Sequence, residues 1–261
     1  MTDRPFYFGT NFKMHQTPTE SRQFVSDLHE RLGSPDSVQL FVIPPYTSLV
    51  WAVEEAVDTG IWVGAQNMHF AERGAFTGEI SAAMLQAAGV DMVMLGHAER
   101  RQLFGETDAA LHKKVQAALR AGLRILLCVG ENAEEKAFGI EAETVARQLK
   151  IALHNFRSDD LPRLIVAYEP VWSIGEGGTP AGVADVEYTA RHIRATLVTL
   201  FGTAGQTVPL LYGGSVNLDN CVDYARLDLI DGLFVGRAAW QVAGYVEVFQ
   251  AGFAAKTEAT S

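Results

Sequence analysis

In the stretch AYEPVWSIGEGGTP, residues 167–180, a single carboxylate, Glu169, ends an apolar run and is followed at once by Pro170. Trp172, Gly175, Gly177, Gly178 and Pro180 come close behind. Proline at 170 biases Glu169 to an extended backbone and so fixes where its carboxylate points. Other polar groups end apolar runs in the same way: Asn11 and Lys13, Gln66 and Asn67, His97 and Glu99, Glu131, Ser215, then Gly236 and Arg237. Carboxylate, imidazole and ammonium groups brought together suit proton transfer. Bare glycine N–H groups beside a cation suit a small anion. Taken singly, each has an ordinary reading: a lone lysine is a solvated charge, a histidine caps a strand, and a glycine pair makes a turn. Their shared position at strand ends is what gives them weight.

The elements that would position them are legible. Short apolar runs recur at 5–12, 38–45, 61–67, 91–97, 123–131, 163–170, 208–215 and 230–237. They are rich in Val, Ile, Leu and Phe with little alternation, as parallel strands buried on both faces are. Helical spacing fills 107–121, 133–155, 181–201 and 238–253, and Thr17-Pro18 and Gly33 bracket another helix with a start and a stop. The pattern predicts an α/β fold, a (β/α)8 barrel forming a single domain over 1–261, with a polar, frayed tail at about 254–261. A doubly wound sheet is the structural rival. Against it, no strand-GxGxxG-helix is present, because Pro180 fills the third glycine slot after Gly175 and Gly177. GxxxxGK[ST] and HExxH are also absent, and GGSVN at 213–217 is not GxSxG.

The formal net charge of −10 argues against a nucleic-acid or anionic-membrane partner. No apolar run reaches the length of a membrane span, and the N-terminus reads as an early strand, not a signal peptide. Cys128 and Cys221 lie far apart and form no CxxC, which argues against a disulfide framework or a zinc site and fits a cytoplasmic location. The reading requires no metal and no organic cofactor.

The motifs TNFKM, GAQN with GAFTGE, LGHAERR, CVGE, AYEPVW, YGGSVN and DGLFVG resemble, in order and spacing across nearly the whole chain, the series of the triosephosphate isomerase family. The resemblance implies that Glu169 is the base that removes a proton next to a carbonyl. It implies that a neutral His97 polarises the carbonyl, that Lys13 supplies fixed positive charge, and that Asn11 helps hold Lys13. Gly175, Ser215 and Gly236 match the family's phosphate-contacting positions, and the segment after Gly236 is expected to enter a helix whose N-terminus favours the anion. Glu99, Glu131, Trp172 and Tyr212 are expected around the site and its moving loop. The loop Met68–Ser81, with Phe70 and Phe76 exposed, implies a homodimer contact around Thr77 near the neighbouring subunit's site.

The chain also departs from the family. Ala98 stands where the family has a serine whose hydroxyl meets the catalytic glutamate, and Phe12 and His15 replace tryptophan and asparagine. The loop reads SIGEGGTPAG, with Glu176, Gly178 and Pro180, and the turn VGGASL has become VGRAAW, with Arg237 and Trp240. That loop and that Gly-Arg turn are similar to one branch, the L-erythrulose-1-phosphate isomerases of erythritol breakdown. The resemblance implies a cofactor-independent sugar-phosphate isomerase acting on a four-carbon ketose phosphate. The alternatives are triosephosphate isomerase itself, an enzyme of glycolysis, and a silent sugar-phosphate-binding barrel. Retention of Lys13, His97 and Glu169 together speaks against silence. Arg237 is expected to pair with Glu131 or Glu176 as a clamp, in preference to binding phosphate.

Overall fold

The structure, a computed structural model, describes residues 4–175 and 177–260. Its order is β1 (Phe6–Asn11), α1 (Pro18–Leu32), β2 (Val38–Ile43), α2 (Tyr46–Ala56), β3 (Trp62–Ala65), α3 (Ala82–Ala87), β4 (Met92–Leu95), α4 (Ala98–Leu103) and α5 (Asp108–Arg120). Then come β5 (Arg124–Val129), α6 (Ala133–Ala137), α7 (Glu141–Ala152), β6 (Leu164–Tyr168), α8 (Val183–Phe201), β7 (Leu210–Tyr212), α9 (Cys221–Ala225), β8 (Gly232–Val235) and α10 (Val242–Thr260). The strands pair in sequence order, all parallel, and β8 closes on β1.

Strand alternation divides the core into two layers. Phe41, Ile43, Met92, Met94, Leu126, Cys128, Ile165, Ala167, Leu211 and Phe234 fill the barrel interior. Their neighbours along the same strands, such as Val42, Val93, Ile125, Leu127 and Val166, pack against the helices. Both faces are therefore apolar, and that is why the strands read as continuous runs.

Helix α1 starts as its sequence dictates. Thr17 and Glu20 form a reciprocal capping box, and Gly33 stops the helix at φ 58°. The expected helix over 133–155 is two helices, because the chain turns left-handed at Gly139, φ 68°, between α6 and α7. The expected helix at 238–253 is displaced: Arg237–Ala239 is a single 3-10 turn, and α10 begins at Val242. The tail is not frayed. α10 runs on to Thr260, where Ala255 is buried and the Lys256 ammonium donates to the Leu227 carbonyl at 2.9 Å. Sequence periodicity singles out none of α2, α3, α4 and α9. The last three span five or six residues each, too short for an amphipathic stripe. Among the described residues no helix is long and apolar enough to cross a membrane.

Candidate active site

The C-terminal ends of the strands open into one cavity of about 420 Å³. Asn11, Lys13, His97, Glu169, Gly175, Ser215, Gly236 and Arg237 all line it. The expected catalytic and phosphate-contacting residues thus share one space, at the face where barrels of this kind place their sites.

Glu169 follows β6, and only 2 % of it is exposed. Its Oε2 accepts the backbone N–H of Ala98 at 2.9 Å, and its Oε1 lies 3.7 Å from His97 Nε2. The missing serine hydroxyl therefore does not leave the carboxylate unanchored, since the backbone at the same position holds it. Close approach is needed on two further sides. A Cβ at Gly213 would lie 3.1 Å from Glu169 Cγ, and one at Gly130 would lie 1.9 Å from the Glu169 carbonyl oxygen. Cys128 sits beneath this carboxylate. Burial pushes its thiol pKa well up, and the adjacent Glu169 charge adds to the shift.

His97 is the N-cap of α4, and its Nδ1 accepts the Glu99 N–H at 3.2 Å. An accepting Nδ1 carries no proton, so the ring proton lies on Nε2, the nitrogen that faces Glu169. Glu99 serves a second partner, since its Oε1 takes the Lys13 ammonium at 2.7 Å. Asn11 Oδ1 accepts the Lys13 N–H at 2.8 Å, which stabilises the left-handed backbone of Lys13, φ 51°. Gln66 Nε2 donates to the Lys13 carbonyl at 2.7 Å and to Asn11 Oδ1 at 3.2 Å. Sequence reading placed Gln66 only at a strand end; its role as the anchor of this strap needs the fold.

Glu131, Trp172 and Tyr212 lie outside the cavity lining. Glu131 is fully buried; Trp172 Nε1 donates to it at 2.6 Å and the Tyr168 hydroxyl at 3.2 Å. Burial raises the Glu131 pKa, and those hydrogen bonds oppose the rise. Trp172 belongs to the 3-10 turn Val171–Ser173 directly after Glu169-Pro170, so this anchor fixes the near end of the glycine-rich loop. Burial also raises the Tyr212 pKa, and the neighbouring Tyr224 adds to the rise.

The expected Arg237 clamp fails at Glu131, whose carboxylate is taken by Trp172 and Tyr168. Glu176, the other expected partner, lies outside the described residues. The Arg237 side chain is exposed at the cavity edge and makes no hydrogen bond or ion pair among the described residues. The helix expected directly after Gly236 is a three-residue 3-10 turn, so an anion there would meet local N–H groups and not a long helix dipole. A Cβ on Gly236 would meet nothing within 4 Å, which leaves its backbone open to the cavity. Phe234, Ile174, Gly177 and Gly178 also line the space, and Trp240 closes one edge. Among the described residues no group of three or more His, Cys, Asp or Glu could hold a metal ion.

On the loop Met68–Ser81, Thr77 is exposed and Phe76 is 44 % exposed. Phe70 is half-buried under the Lys113 ammonium, 5.1 Å from its ring, which corrects the expectation of two exposed aromatics. His69 stacks on Phe70, lies tilted against Phe76 and pairs with Ser81, so the base of the loop is stapled.

The family profile described as Triosephosphate isomerase matches residues 6–252. An L-erythrulose-1-phosphate isomerase of Rhizobium rhizogenes is 42 % identical over 251 residues, covering 95 % of each chain. One of Mycolicibacterium smegmatis is 42 % identical over 248 residues, 94 % of this chain and 92 % of its own. A triosephosphate isomerase of Carboxydothermus hydrogenoformans is 42 % identical over 247 residues, 94 % of this chain and 97 % of its own. The chain belongs to the triosephosphate isomerase family and is an isomerase.

Proposed function

We propose that the protein interconverts L-erythrulose 1-phosphate and D-erythrulose 4-phosphate through an enediolate, without a cofactor. The observation that carries the chemistry is the approach of His97 Nε2 to the Glu169 carboxylate, 3.7 Å, in a cavity that Gly175, Ser215 and Gly236 also line. Glu169 takes the proton from C3 of the substrate and returns it to C2. His97 Nε2–H polarises the C2 carbonyl and moves the hydroxyl proton between O2 and O3. Lys13 adds fixed positive charge beside the developing oxyanion, and such preorganised groups cost little reorganisation in a closed site. The phosphate rests on backbone N–H groups, with Arg237 at its side.

The four-carbon substrate differs from dihydroxyacetone phosphate by a hydroxymethyl on the carbon that loses its proton. Phosphate, carbonyl and acidic carbon keep their mutual spacing, so the same three side chains serve both. Relatives named L-erythrulose-1-phosphate isomerase, 42 % identical, support this reading, as does the loop and Gly-Arg turn that the chain resembles in that branch. Triosephosphate isomerase is the second reading, favoured by a relative of that name at the same identity. Side-by-side assay of the purified protein on both ketose phosphates decides between them. The proposal expects a higher kcat/KM on L-erythrulose 1-phosphate; equal or better turnover of dihydroxyacetone phosphate overturns it.

The assembly is proposed as a homodimer in the cytoplasm. Met14, 93 % exposed beside Lys13, and Phe76 are large apolar groups that a second copy would cover around Thr77. Light scattering at assay concentration tests this, and a monomer mass sinks it.

A further inference from the structure

The segment between β1 and α1 holds two non-glycine residues in the left-handed region, Lys13 at φ 51° and Gln16 at φ 71°. Such conformations persist only where the surroundings over-determine them. On one flank the anchor is Gln66, through the Lys13 carbonyl and Asn11 Oδ1. On the other flank three contacts belong to one residue, Trp240. Its indole Nε1 donates to the Asn11 carbonyl at 2.8 Å. Its own carbonyl accepts Gln16 Nε2 at 3.2 Å. Its ring lies against the His15 ring, with centroids 4.2 Å apart. Gln16 is itself held, because Ser21 Oγ donates to its Oε1 at 3.0 Å and Ser48 Oγ to its carbonyl at 3.2 Å.

The place of the indole bond is informative. The β1–β8 ladder ends at Thr10 with Val235, so Asn11 has no strand partner on that side. The Trp240 N–H takes over where the ladder stops. Trp240 also follows directly on the turn Arg237–Ala239, at the proposed phosphate end of the cavity.

We propose that Trp240 is a positioning residue for the isomerisation. It ties the phosphate-binding turn to the strap that carries Lys13, with His15 as the plate that keeps the indole in register. The inference rests on the reading of Lys13 as the fixed positive charge of the reaction. Neither leucine nor phenylalanine at 240 could hold the Asn11 carbonyl.

Trp240→Phe keeps an aromatic ring facing His15 and removes the indole N–H with its five-membered ring. Small errors in placing a catalytic group lower the rate steeply, so kcat should fall about tenfold. KM and inhibition by inorganic phosphate should stay within about twofold of wild type, since the strap and not the phosphate contact is lost. In a Lys13→Ala background, the same change should cause no further loss, because Trp240 acts through Lys13. If Trp240→Phe does not fold, His15→Ala is the second variant. It should lower kcat about threefold in the wild-type background and leave it unchanged beside Lys13→Ala. Wild-type kcat in Trp240→Phe, an equal loss with and without Lys13, or a matching loss of phosphate affinity overturns the inference alone. Wild-type kcat in Lys13→Ala overturns both the inference and the reading of Lys13.

Discussion

Ala98 donates its backbone N–H to Oε2 of Glu169 at 2.9 Å, across 71 residues of sequence. Ala98 is the first residue of α4, after the N-cap His97, so this N–H is one of the helix's free donors. Proline is tolerated at that helix position, lacks this donor, and sets its ring Cδ where the N–H pointed at Glu169, so it both removes the bond and displaces the carboxylate. His97, at φ −48° and ψ 140°, already has the extended backbone that a following proline requires. Ala98→Pro should therefore leave the far-ultraviolet circular dichroism unchanged. It should lower kcat about tenfold or more, the equivalent of about 1.5–3 kcal/mol for a hydrogen bond to a charged group. A wild-type kcat would mean that Glu169 is positioned by something else.

Glu169→Gln keeps the shape of the side chain and removes the carboxylate proposed as the base. A positioned general base contributes about 10²–10⁴-fold, and kcat should drop by that factor. Inhibition by inorganic phosphate should hold near wild type, since Gly175, Ser215 and Gly236, which also line the cavity, are untouched. Retention of more than a tenth of the activity would remove Glu169 from the role of base.

Arg237 is exposed at the cavity edge without a partner among the described residues. Its removal should cost little stability, within about 0.5 kcal/mol, as for other surface changes. Arg237→Ala should raise the inhibition constant for inorganic phosphate about tenfold, in line with about 1.5 kcal/mol for a charge-assisted contact. A falling Tm with unchanged phosphate inhibition would restore the structural clamp.

Burial raises the Glu131 pKa above its unfolded value, against the opposing bonds from Trp172 and Tyr168. The folded protein then binds this proton more tightly than the unfolded chain does. Stability accordingly falls as pH rises from the ordinary carboxylate range through the raised folded value, and is level above it. Glu131→Gln keeps an acceptor for Trp172 and has nothing to titrate. Plotted against pH, the Tm difference between wild type and Glu131→Gln should decline over that window and then flatten. A difference that is constant with pH would show that burial leaves this carboxyl unshifted.

The strand runs and the residues that end them were legible because both faces of each strand are buried, so apolar sequence stops where the barrel wall stops. Cap residues local in sequence, such as Thr17 with Glu20, were equally plain. The sequence by itself determined the barrel and the set Asn11, Lys13, His97 and Glu169 at strand ends. Only the tertiary structure decided how that set is held. The Ala98 N–H on Glu169, the Gln66 amide on the Lys13 strap, the Trp240 indole on Asn11 and the buried Glu131 under Trp172 all join residues far apart in the chain. Such bonds depend on distances of a few ångströms set by barrel closure, and a backbone donor leaves no trace in residue identity. Ala98 reads as a lost hydroxyl in the sequence because what matters there is an N–H that alanine and serine share.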